Sequence, residues 1–321
     1  MAILESDRGA DRPEAPVFET VLYDLREWVA TITINRPESY NCYSTTTLQE
    51  LREAFLHASR DDGVAVIVVT GAGDKAFCTG GDVKEYATRY TQRPRDYWQY
   101  MGYFTDCLDA IRNSGKPTIA RLNGIVAGGG NEINLACDLA VAADDITIRQ
   151  VGTRVGSVAA GGATQWLPIT IGDRRAREML LTCEPITAQQ ALEWGLVNRV
   201  VPREELDAAV GELCGKLIDK FPECLRYTKQ QTNFWKDFAW SMTIGHAREW
   251  LALHFTDLEP WEGMTSFVEK RQPDYRRIRE LARDGGSSEV LWGPPSQSCS
   301  GCGTTGLPGN MRFCGICGAE L

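Results

Sequence analysis

The segment VAGGGNEINLACD, residues 126–138, has three glycines followed by Asn131 and Glu132, at the start of an apolar helical pattern. Glycine lets a backbone approach a ligand closely and lets its amide N–H groups point outward. A second glycine segment, AFCTGGD at 76–82, also follows a strand pattern. If the two loops converge, they direct two amides at one carbonyl oxygen, which is an oxyanion hole for acyl chemistry.

Glu132 has two interpretations on its local pattern alone. It is either an acid at the solvent-facing N-terminus of a helix, where the helix dipole favours a negative charge, or an acid/base catalyst beside exposed amides. The two glycine segments likewise have the alternative of being ordinary turns. Periodicity and spacing do not decide between these interpretations.

Four cysteines in the C-terminal tail form a second chemical pattern. The tail CSGCGTTGLPGNMRFCGICGAEL pairs Cys299 with Cys302 and Cys314 with Cys317, each as C-x-x-C-G. Four thiolates at this spacing suit tetrahedral structural zinc, with disulfides or a redox pair as the alternatives. The pattern resembles a zinc ribbon, a module that stabilises a chain or docks a partner. Because the tail is too short for a core, we expect the metal to supply its folding energy.

The composition is that of an ordinary globular enzyme. The 321 residues are 43% hydrophobic and 24% charged, with a formal net charge of −9. This acidic balance argues against nucleic acid as the main partner. The N-terminus lacks a signal pattern and no apolar run spans a bilayer, so we expect a cytoplasmic protein without a membrane partner. Seven of the eleven cysteines lie outside the tail, and most are predicted to be buried free thiols.

Hydrophobic periodicity predicts an α/β fold followed by a helical region. Alternating runs at 18–37, around DLRE, predict a β-hairpin. The other predicted strands cover 64–71, 117–124 and 139–144, and the predicted helices cover 45–59, 94–113 and 131–137. From 204 to 280 only helical patterns occur, followed by a Gly/Ser/Pro-rich stretch. The predicted parts are a flexible arm (1–16), a core (17–203), a C-terminal helical region (204–282), a linker (283–298) and the zinc ribbon (299–321).

Five motifs in order along the chain together resemble the crotonase (enoyl-CoA hydratase/isomerase) superfamily. They are INRPESYN (34–41), GAGDKAFCTGGDVKEY (71–86), NGIVAGGGNEINLACDLAVAA (123–143), ITAQQALEWGLVNRVVP (186–202) and EGMTSFVEKRQPDY (262–275). The resemblance covers roughly residues 18–280. It implies a crotonase-like spiral of ββα turns with a C-terminal helical trimerisation region, a homotrimer or homohexamer, and acyl-CoA thioester substrates without a redox cofactor.

The resemblance also assigns roles to individual positions. Gly81 and Gly129 match the two oxyanion donors, and Glu132 matches the first glutamate of the hydratases. The positions that match coenzyme A contacts are Arg36, Glu38, Ser39, Tyr40, Asp82, Phe267 and Lys270. Lys270 looks like a basic residue that reaches coenzyme A from a neighbouring subunit, with Phe267 packing nearby. Many relatives carry a basic residue at 39–40, where this chain has Ser39 and Tyr40.

Two departures separate the chain from the best-known branches of the superfamily. Hydratases usually carry a second glutamate at the position of Gly152, so the two-glutamate hydration machinery is incomplete. The dihydroxynaphthoyl-CoA synthases typically carry an aspartate where this chain has Ala159, and they lack a glutamate at position 132.

A third branch, the ring-opening 6-oxocyclohex-1-ene-1-carbonyl-CoA hydrolases of anaerobic aromatic degradation, is more similar. The shared segments are AFCTGGDVKEYA, GGGNE, GSVAAGGAT, FPECL and REWLAL. This likeness implies addition of water to a cyclic enone thioester, followed by hydrolytic cleavage of a ring C–C bond, with Glu132 as acid/base. A simple enoyl-CoA hydratase or isomerase, a C–C bond-forming synthase, and a scaffold whose ribbon docks a partner are the alternatives.

Four tyrosines follow the first glycine loop. For Tyr86, Tyr90, Tyr97 and Tyr100 the default is an aromatic stripe in the core or an interface, and the alternative is that one reaches the substrate ring. The histidines His57, His246 and His254 form no Ser/His/Asp pattern and are expected on helix faces.

Overall fold

The computed structural model describes residues 15–286, 295–309 and 311–321. Most of the predicted arm (1–16) and the centre of the predicted linker (283–298) lie outside these residues. The strands in chain order are β1 (Val21–Arg26), β2 (Val29–Ile34), β3 (Val66–Gly71), β4 (Ala76–Cys78), β5 (Thr118–Leu122), β6 (Ile125–Ala127), β7 (Leu139–Ala143), β8 (Thr147–Arg149), β9 (Ile186–Thr187), β10 (Arg199–Val201), β11 (Pro295–Ser298) and β12 (Thr305–Pro308).

The helices follow the predicted alternation with strands. In chain order they are α1 (Thr45–Arg60), α2 (Val83–Glu85), α3 (Pro94–Arg112), α4 (Gly129–Ala136), α5 (Ala163–Ile171), α6 (Asp173–Thr182), α7 (Ala188–Trp194), α8 (Leu206–Ile218), α9 (Pro222–Thr232), α10 (Phe234–His254), α11 (Leu258–Val268) and α12 (Tyr275–Arg283). A π-helical turn, Tyr86–Tyr90, continues α2. The Ser/Thr-rich start of α1 caps the helix, since Ser44 Oγ accepts a hydrogen bond from Thr47 N–H at 3.2 Å.

A six-stranded sheet forms one wall of the core, in the order β1-β2-β3-β5-β7-β10. The strands β1 and β2 are the predicted antiparallel hairpin, and the other neighbours are parallel. The hairpin turns at Glu27 and Trp28, the end of DLRE, and both residues have positive φ, as a two-residue turn requires. Every residue of β3, VIVVTG, is buried, which is typical of a parallel strand covered on both faces.

A second sheet, in the order β4-β6-β8-β9, makes the fold a spiral. After β3, the chain places β4 in the small sheet. It then returns to the large sheet for β5 and to the small one for β6, and repeats this with β7 and β8. A helix follows each of these strand pairs. The predicted α/β crotonase-like spiral is therefore confirmed, with the helices α8 to α12 after it as expected. No helix in the described part of the chain is both long and apolar enough to cross a membrane.

Asn123 connects the turn between β5 and β6 to the end of β3 through side-chain hydrogen bonds. Its Oδ1 accepts hydrogen bonds from Thr70 Oγ1 at 3.0 Å and from Gly71 N–H at 3.2 Å. Its Nδ2 donates to Gly71 O at 2.8 Å and to Gly73 O at 2.6 Å. The side chain is buried, so these four bonds hold two consecutive turns of the spiral in register.

Substitution of Asn123 by alanine tests the role of these hydrogen bonds. We expect a loss of about 2–4 kcal/mol in the free energy of unfolding, because several buried polar groups would lose their partners. Urea denaturation measures the change. Asn113→Ala, at an exposed helix end, is the matched control and should cost less than about 1 kcal/mol. Equal losses in the two variants would contradict the role given to Asn123.

Candidate active site

Two glycine loops lie side by side at the carboxyl ends of β4 and β6. These strands pair in parallel, with Cys78 opposite Val126, so the loops that follow start from neighbouring positions. A Cβ atom built on Gly80 would lie only 3.2 Å from the backbone nitrogen of Gly129. The loops therefore converge, as the sequence analysis expected for a shared site.

The amides of Gly81 and Gly129 are directed away from the neighbouring backbone. Gly81 forms a parallel bridge with Tyr43, in which Tyr43 N–H donates to Gly80 O and Asp82 N–H donates to Tyr43 O, both at 2.9 Å. The residue between two such bonds directs its own N–H to the opposite side. Gly129 is the first residue of α4, where an N–H has no partner within the helix. Two amides are thus left for a ligand oxygen.

Glu132 lies in the first turn of α4 and is only 4% exposed, so the solvent-facing interpretation of this residue is wrong. Its Oε1 accepts a hydrogen bond from Ala163 N–H at 3.0 Å, and its carboxyl group also accepts one from Gly161 N–H. Burial raises the pKa of Glu132 to about 7, although these two hydrogen bonds act in the opposite direction. A carboxyl group that titrates near neutrality can both take and return a proton.

Phenol groups surround the carboxyl group of Glu132. Burial raises the pKa of Tyr43, Tyr86 and Tyr97, and each of these hydroxyls is also close enough to Glu132 for its negative charge to raise the pKa further. The three phenols therefore stay neutral at ordinary pH. They are groups that donate protons or hydrogen bonds in an environment that is otherwise apolar.

Two of these hydroxyls lie directly on the glycine loops. A Cβ atom built on Gly81 would collide with the Tyr86 hydroxyl, and one built on Gly129 would collide with the Tyr43 hydroxyl. A side chain at either position would displace the tyrosine hydroxyl beside it, so glycine allows this close approach. The Tyr86 hydroxyl also hydrogen bonds to the Tyr100 hydroxyl at 2.5 Å. The loops and the tyrosines therefore belong to one site.

The other predicted tyrosine and the histidines have different surroundings. The Tyr90 hydroxyl hydrogen bonds to Thr45 Oγ1 at 2.6 Å rather than to Tyr86 or Tyr100. All three histidines lie on helices, as expected. His57 is in α1, and His246 and His254 are in α10.

The position of the usual second glutamate is closed by backbone. A Cβ atom at Gly152 would lie 3.0 Å from Ala159 N and 3.1 Å from Ser157 O. A longer side chain fits there only if the loop at 157–159 moves. The nearby Ala159 contributes a methyl group, which packs against the core and carries no charge.

The predicted coenzyme A residues Arg36 and Asp82 bind each other. Arg36 Nη2 lies 2.9 Å from Asp82 Oδ2, and Arg36 Nη1 donates to Cys42 O at 2.7 Å. Burial opposes the charge of Asp82, but the hydrogen bond and positive charge of Arg36 outweigh it and lower the pKa of Asp82. The pair ties the segment 36–41 to the first glycine loop, so these side chains hold the loops in place.

The remaining predicted coenzyme A residues are mostly exposed. Glu38 and Tyr40 lie at the surface, and Ser39 Oγ donates to Arg36 O at 3.2 Å. Phe267 and Lys270 are exposed at the carboxyl end of α11, and this helix packs against α2 and the π-helical turn.

The sequence analysis did not identify Tyr43 or the amides that hold Glu132. Tyr43 stands between the segment 36–41 and α1 with no spacing signal of its own. The amides of Gly161 and Ala163 did have a signal in the sequence. They lie where glycines come directly before a helix, which is the same pattern that drew attention to Glu132.

The four tail cysteines come together as a candidate metal centre. Their Sγ atoms all lie within 4.8 Å of one another, with Cys299 to Cys317 at 3.5 Å and Cys302 to Cys314 at 3.6 Å. Tetrahedral zinc with Zn–S bonds of about 2.3 Å places its sulfurs about 3.8 Å apart, so the set fits a metal ion. Ile316 N–H also donates to Cys314 Sγ at 3.4 Å.

Substitution of Glu132 by glutamine should change how stability depends on pH. The folded-state pKa of about 7 exceeds the ordinary value of 4.5. The folded protein therefore binds more protons than the unfolded chain between these values, and stability falls as pH rises from 4.5 to 7. Glutamine keeps an oxygen for Ala163 N–H but does not ionise. Relative to the native protein, the variant should gain up to about 3 kcal/mol between pH 5 and pH 8.

Urea unfolding at pH 5 and pH 8 measures this gain, and the exposed Glu184→Gln is the matched control. A stability difference between Glu132→Gln and native protein that is the same at both pH values would contradict a raised pKa of Glu132.

The chain is similar to known proteins along most of its length. A family model described as "Enoyl-CoA hydratase/isomerase" matches residues 24–278. The "6-oxocyclohex-1-ene-1-carbonyl-CoA hydrolase" of Geobacter metallireducens is 33% identical, with 85% of this chain and 84% of the relative covered. The protein of the same name from Thauera aromatica is 36% identical, with 77% and 78% covered.

The fold is also similar to that of a solved structure. An enoyl-CoA hydratase from Mycobacterium avium subsp. paratuberculosis K-10 has a TM-score of 0.73 at 25% identity, over 81% of this chain and 99% of that one. The chain belongs to the enoyl-CoA hydratase/isomerase family.

Proposed function

We propose that this protein is an acyl-CoA hydrolase that adds water to a cyclic enoyl- or oxo-acyl-CoA and opens its ring. The observation that carries the proposal is a single buried carboxyl group, Glu132, beside two converging glycine loops. Relatives at 33% and 36% identity bear the name of a hydrolase of a cyclic oxo-enoyl-CoA. A tyrosine-lined site also suits a ring that carries oxygen better than a plain alkyl chain.

The glycine loops would hold the thioester. Its carbonyl oxygen would accept the N–H groups of Gly81 and Gly129, and these bonds strengthen when negative charge develops on that oxygen in the enolate. Arg36 and Asp82 would keep both the first loop and the coenzyme A segment in position. The segment that includes Glu38, Ser39 and Tyr40 would contact the cofactor part of the substrate.

Glu132 would perform the proton transfers on water. In the first step it takes a proton from water, and hydroxide adds to the ring carbon β to the thioester, which forms the enolate. The proton that Glu132 then holds passes to the α carbon of this enolate. In the second step Glu132 takes a proton from another water, which attacks the ring ketone. The C–C bond between the ketone and the α carbon then breaks, its electron pair forms a new enolate, and the ketone carbon becomes a carboxylic acid, which ionises. The proton on Glu132 again passes to the α carbon, so the two steps add two waters and restore Glu132.

The C-terminal helices would assemble the protein. Exposed aromatic side chains on α10, namely Phe234, Trp235 and Phe238, form an apolar surface that suits contacts in a homotrimer or homohexamer. Phe267 and Lys270 are exposed, so Lys270 can reach a coenzyme A bound by a neighbouring subunit.

We also propose that residues 299–321 form a zinc ribbon together with β11, which pairs with β12 and so takes up the end of the predicted linker (283–298). Cys299, Cys302, Cys314 and Cys317 would hold zinc in a purely structural site, because four thiolates leave no ligand position for a substrate. Phe313 and Ile316 are 60% and 74% exposed, and this apolar surface supports docking of a partner protein. Free thiolates suit the reducing cytoplasm, and the relatives' substrate suits aromatic degradation.

Mass spectrometry of 6-oxocyclohex-1-ene-1-carbonyl-CoA incubated with the protein tests the activity. We expect a product heavier by two waters, and a decrease of about 10²- to 10⁴-fold in rate for Glu132→Gln. Glu184→Gln should keep the full rate. A product heavier by one water would identify a simple hydratase, and an unchanged rate in Glu132→Gln would remove Glu132 from the mechanism.

Elemental analysis of the full chain tests the ribbon. The native protein should carry one zinc per chain, and the double variant Cys299→Ser, Cys302→Ser should carry none because two thiolates are lost. Cys224→Ser, at an exposed thiol outside the tail, should keep its zinc. Zinc retention in the double variant would contradict the four-cysteine site.

A further inference from the structure

Among the described residues of the site, Asp82 is paired with Arg36 and Glu132 is the carboxyl group left for proton transfer, but addition of water across a double bond moves two protons. One proton leaves the water, and another must reach the α carbon of the enolate. Relatives would use a second glutamate at the position of Gly152, where this chain has no side chain and an added one would press on the backbone of Ser157 and Ala159. A different group beside Glu132 must therefore supply the second proton, or Glu132 must supply both.

Tyr86 is the phenol that the geometry places best for this task. It is the first residue of the π-helical turn, a type of distortion that often occurs at functional sites. Its hydroxyl lies against Gly81, whose amide would bind the thioester oxygen. The α carbon is bonded to the thioester carbonyl carbon, so a hydroxyl beside Gly81 is also beside the atom that takes the proton.

The Tyr86 hydroxyl is held in place and coupled to the carboxyl group. It hydrogen bonds at 2.5 Å to the hydroxyl of Tyr100, which is 1% exposed and cannot turn to solvent. It is also close enough to Glu132 to respond to its charge. Tyr97 is a second phenol close to Glu132, but its hydroxyl has a different partner. Its ring stacks on Phe255 with centroids 3.6 Å apart, and its hydroxyl bonds to the Ser157 side chain.

Tyr43 is the remaining phenol, and its position suits another task. Its ring stacks on Phe104 with centroids 5.1 Å apart, and its hydroxyl lies at Gly129, on the other amide of the site. Tyr43 also bridges Gly81 through its backbone, so the fold of the first glycine loop depends on it. Tyr86 instead lies in the π-helical turn, and its hydroxyl has the hydroxyl of Tyr100 as a partner.

We propose that Tyr86 is a catalytic residue that gives its hydroxyl proton to the α carbon of the enolate, and that Tyr100 positions it. This inference rests on the proposed function. Glu132 first takes a proton from water while the hydroxide adds to the β carbon. The O–H bond of Tyr86 then breaks and a C–H bond forms at the α carbon. The phenolate of Tyr86 regains a proton from the carboxylic acid of Glu132, so the step adds one water and restores both residues.

Exchange of the α proton tests the role separately from ring opening. Cyclohexane-1-carbonyl-CoA, which has no double bond to hydrate and no ketone to cleave, is incubated with the protein in deuterated water and followed by NMR. The native protein should exchange its α proton, and Tyr86→Phe should exchange it at least 100-fold more slowly while it binds the thioester with nearly the same Kd. Tyr103→Phe, an exposed tyrosine of α3, should behave like the native protein.

Further outcomes decide the assignment. Tyr100→Phe, which keeps the Tyr86 hydroxyl but removes its partner, should shift the pH profile of exchange without abolishing it. Native-rate exchange in Tyr86→Phe, or no exchange in the native protein, would overturn the proposal, as would a larger loss in Tyr43→Phe. Native exchange that depends on Tyr86, without a two-water product from the oxo substrate, would instead refute ring opening and keep Tyr86 as the proton donor.

Discussion

The burial of one carboxyl group is the constraint on which the rest of the site depends. Glu132 enters the core at the start of α4, and two backbone amides replace only part of the water it loses, so its pKa rises. To bring these amides to the carboxyl group, the chain at 157–162 must pass over Gly152. The same path takes the space that a second carboxylate needs. The same backbone path thus holds Glu132 in the site and takes space from a second carboxylate at position 152.

The spiral explains which parts of the fold the sequence could predict. The strand β3 has six residues, of which the first four are apolar, and β5 and β7 have five residues each, which is enough for a pattern to be recognised. The strands of the small sheet have only two or three residues, and their pairing is set by contacts distant in sequence. The π-helical turn at Tyr86–Tyr90 has no periodic signature. The superfamily motifs, rather than periodicity, predicted how the two sheets alternate.

The residues of the site also divide into those that the sequence could predict and those that it could not. Gly81, Gly129 and Glu132 were predictable because their chemistry depends on backbone position, which a motif fixes. The pairing of Arg36 with Asp82 was not predictable, because the two residues are far apart in sequence and meet only when the first glycine loop folds back beside β2. The direction of a side chain also depends on tertiary packing, so the pattern of four tyrosines did not show that Tyr86 faces the site or that Tyr90 faces Thr45.

The phenols on the glycine loops also govern how a substrate enters. Their hydroxyls lie beside Gly81 and Gly129, and Glu132 is almost unexposed, so the acyl group must enter a site that is largely closed to solvent. The energy for opening the site must come from contacts away from the reacting atoms. The π-helical turn is partly exposed and packs against α11, the helix that ends at Phe267. Binding of coenzyme A to this helix and to the segment 36–41 would therefore help to open the site for the acyl group.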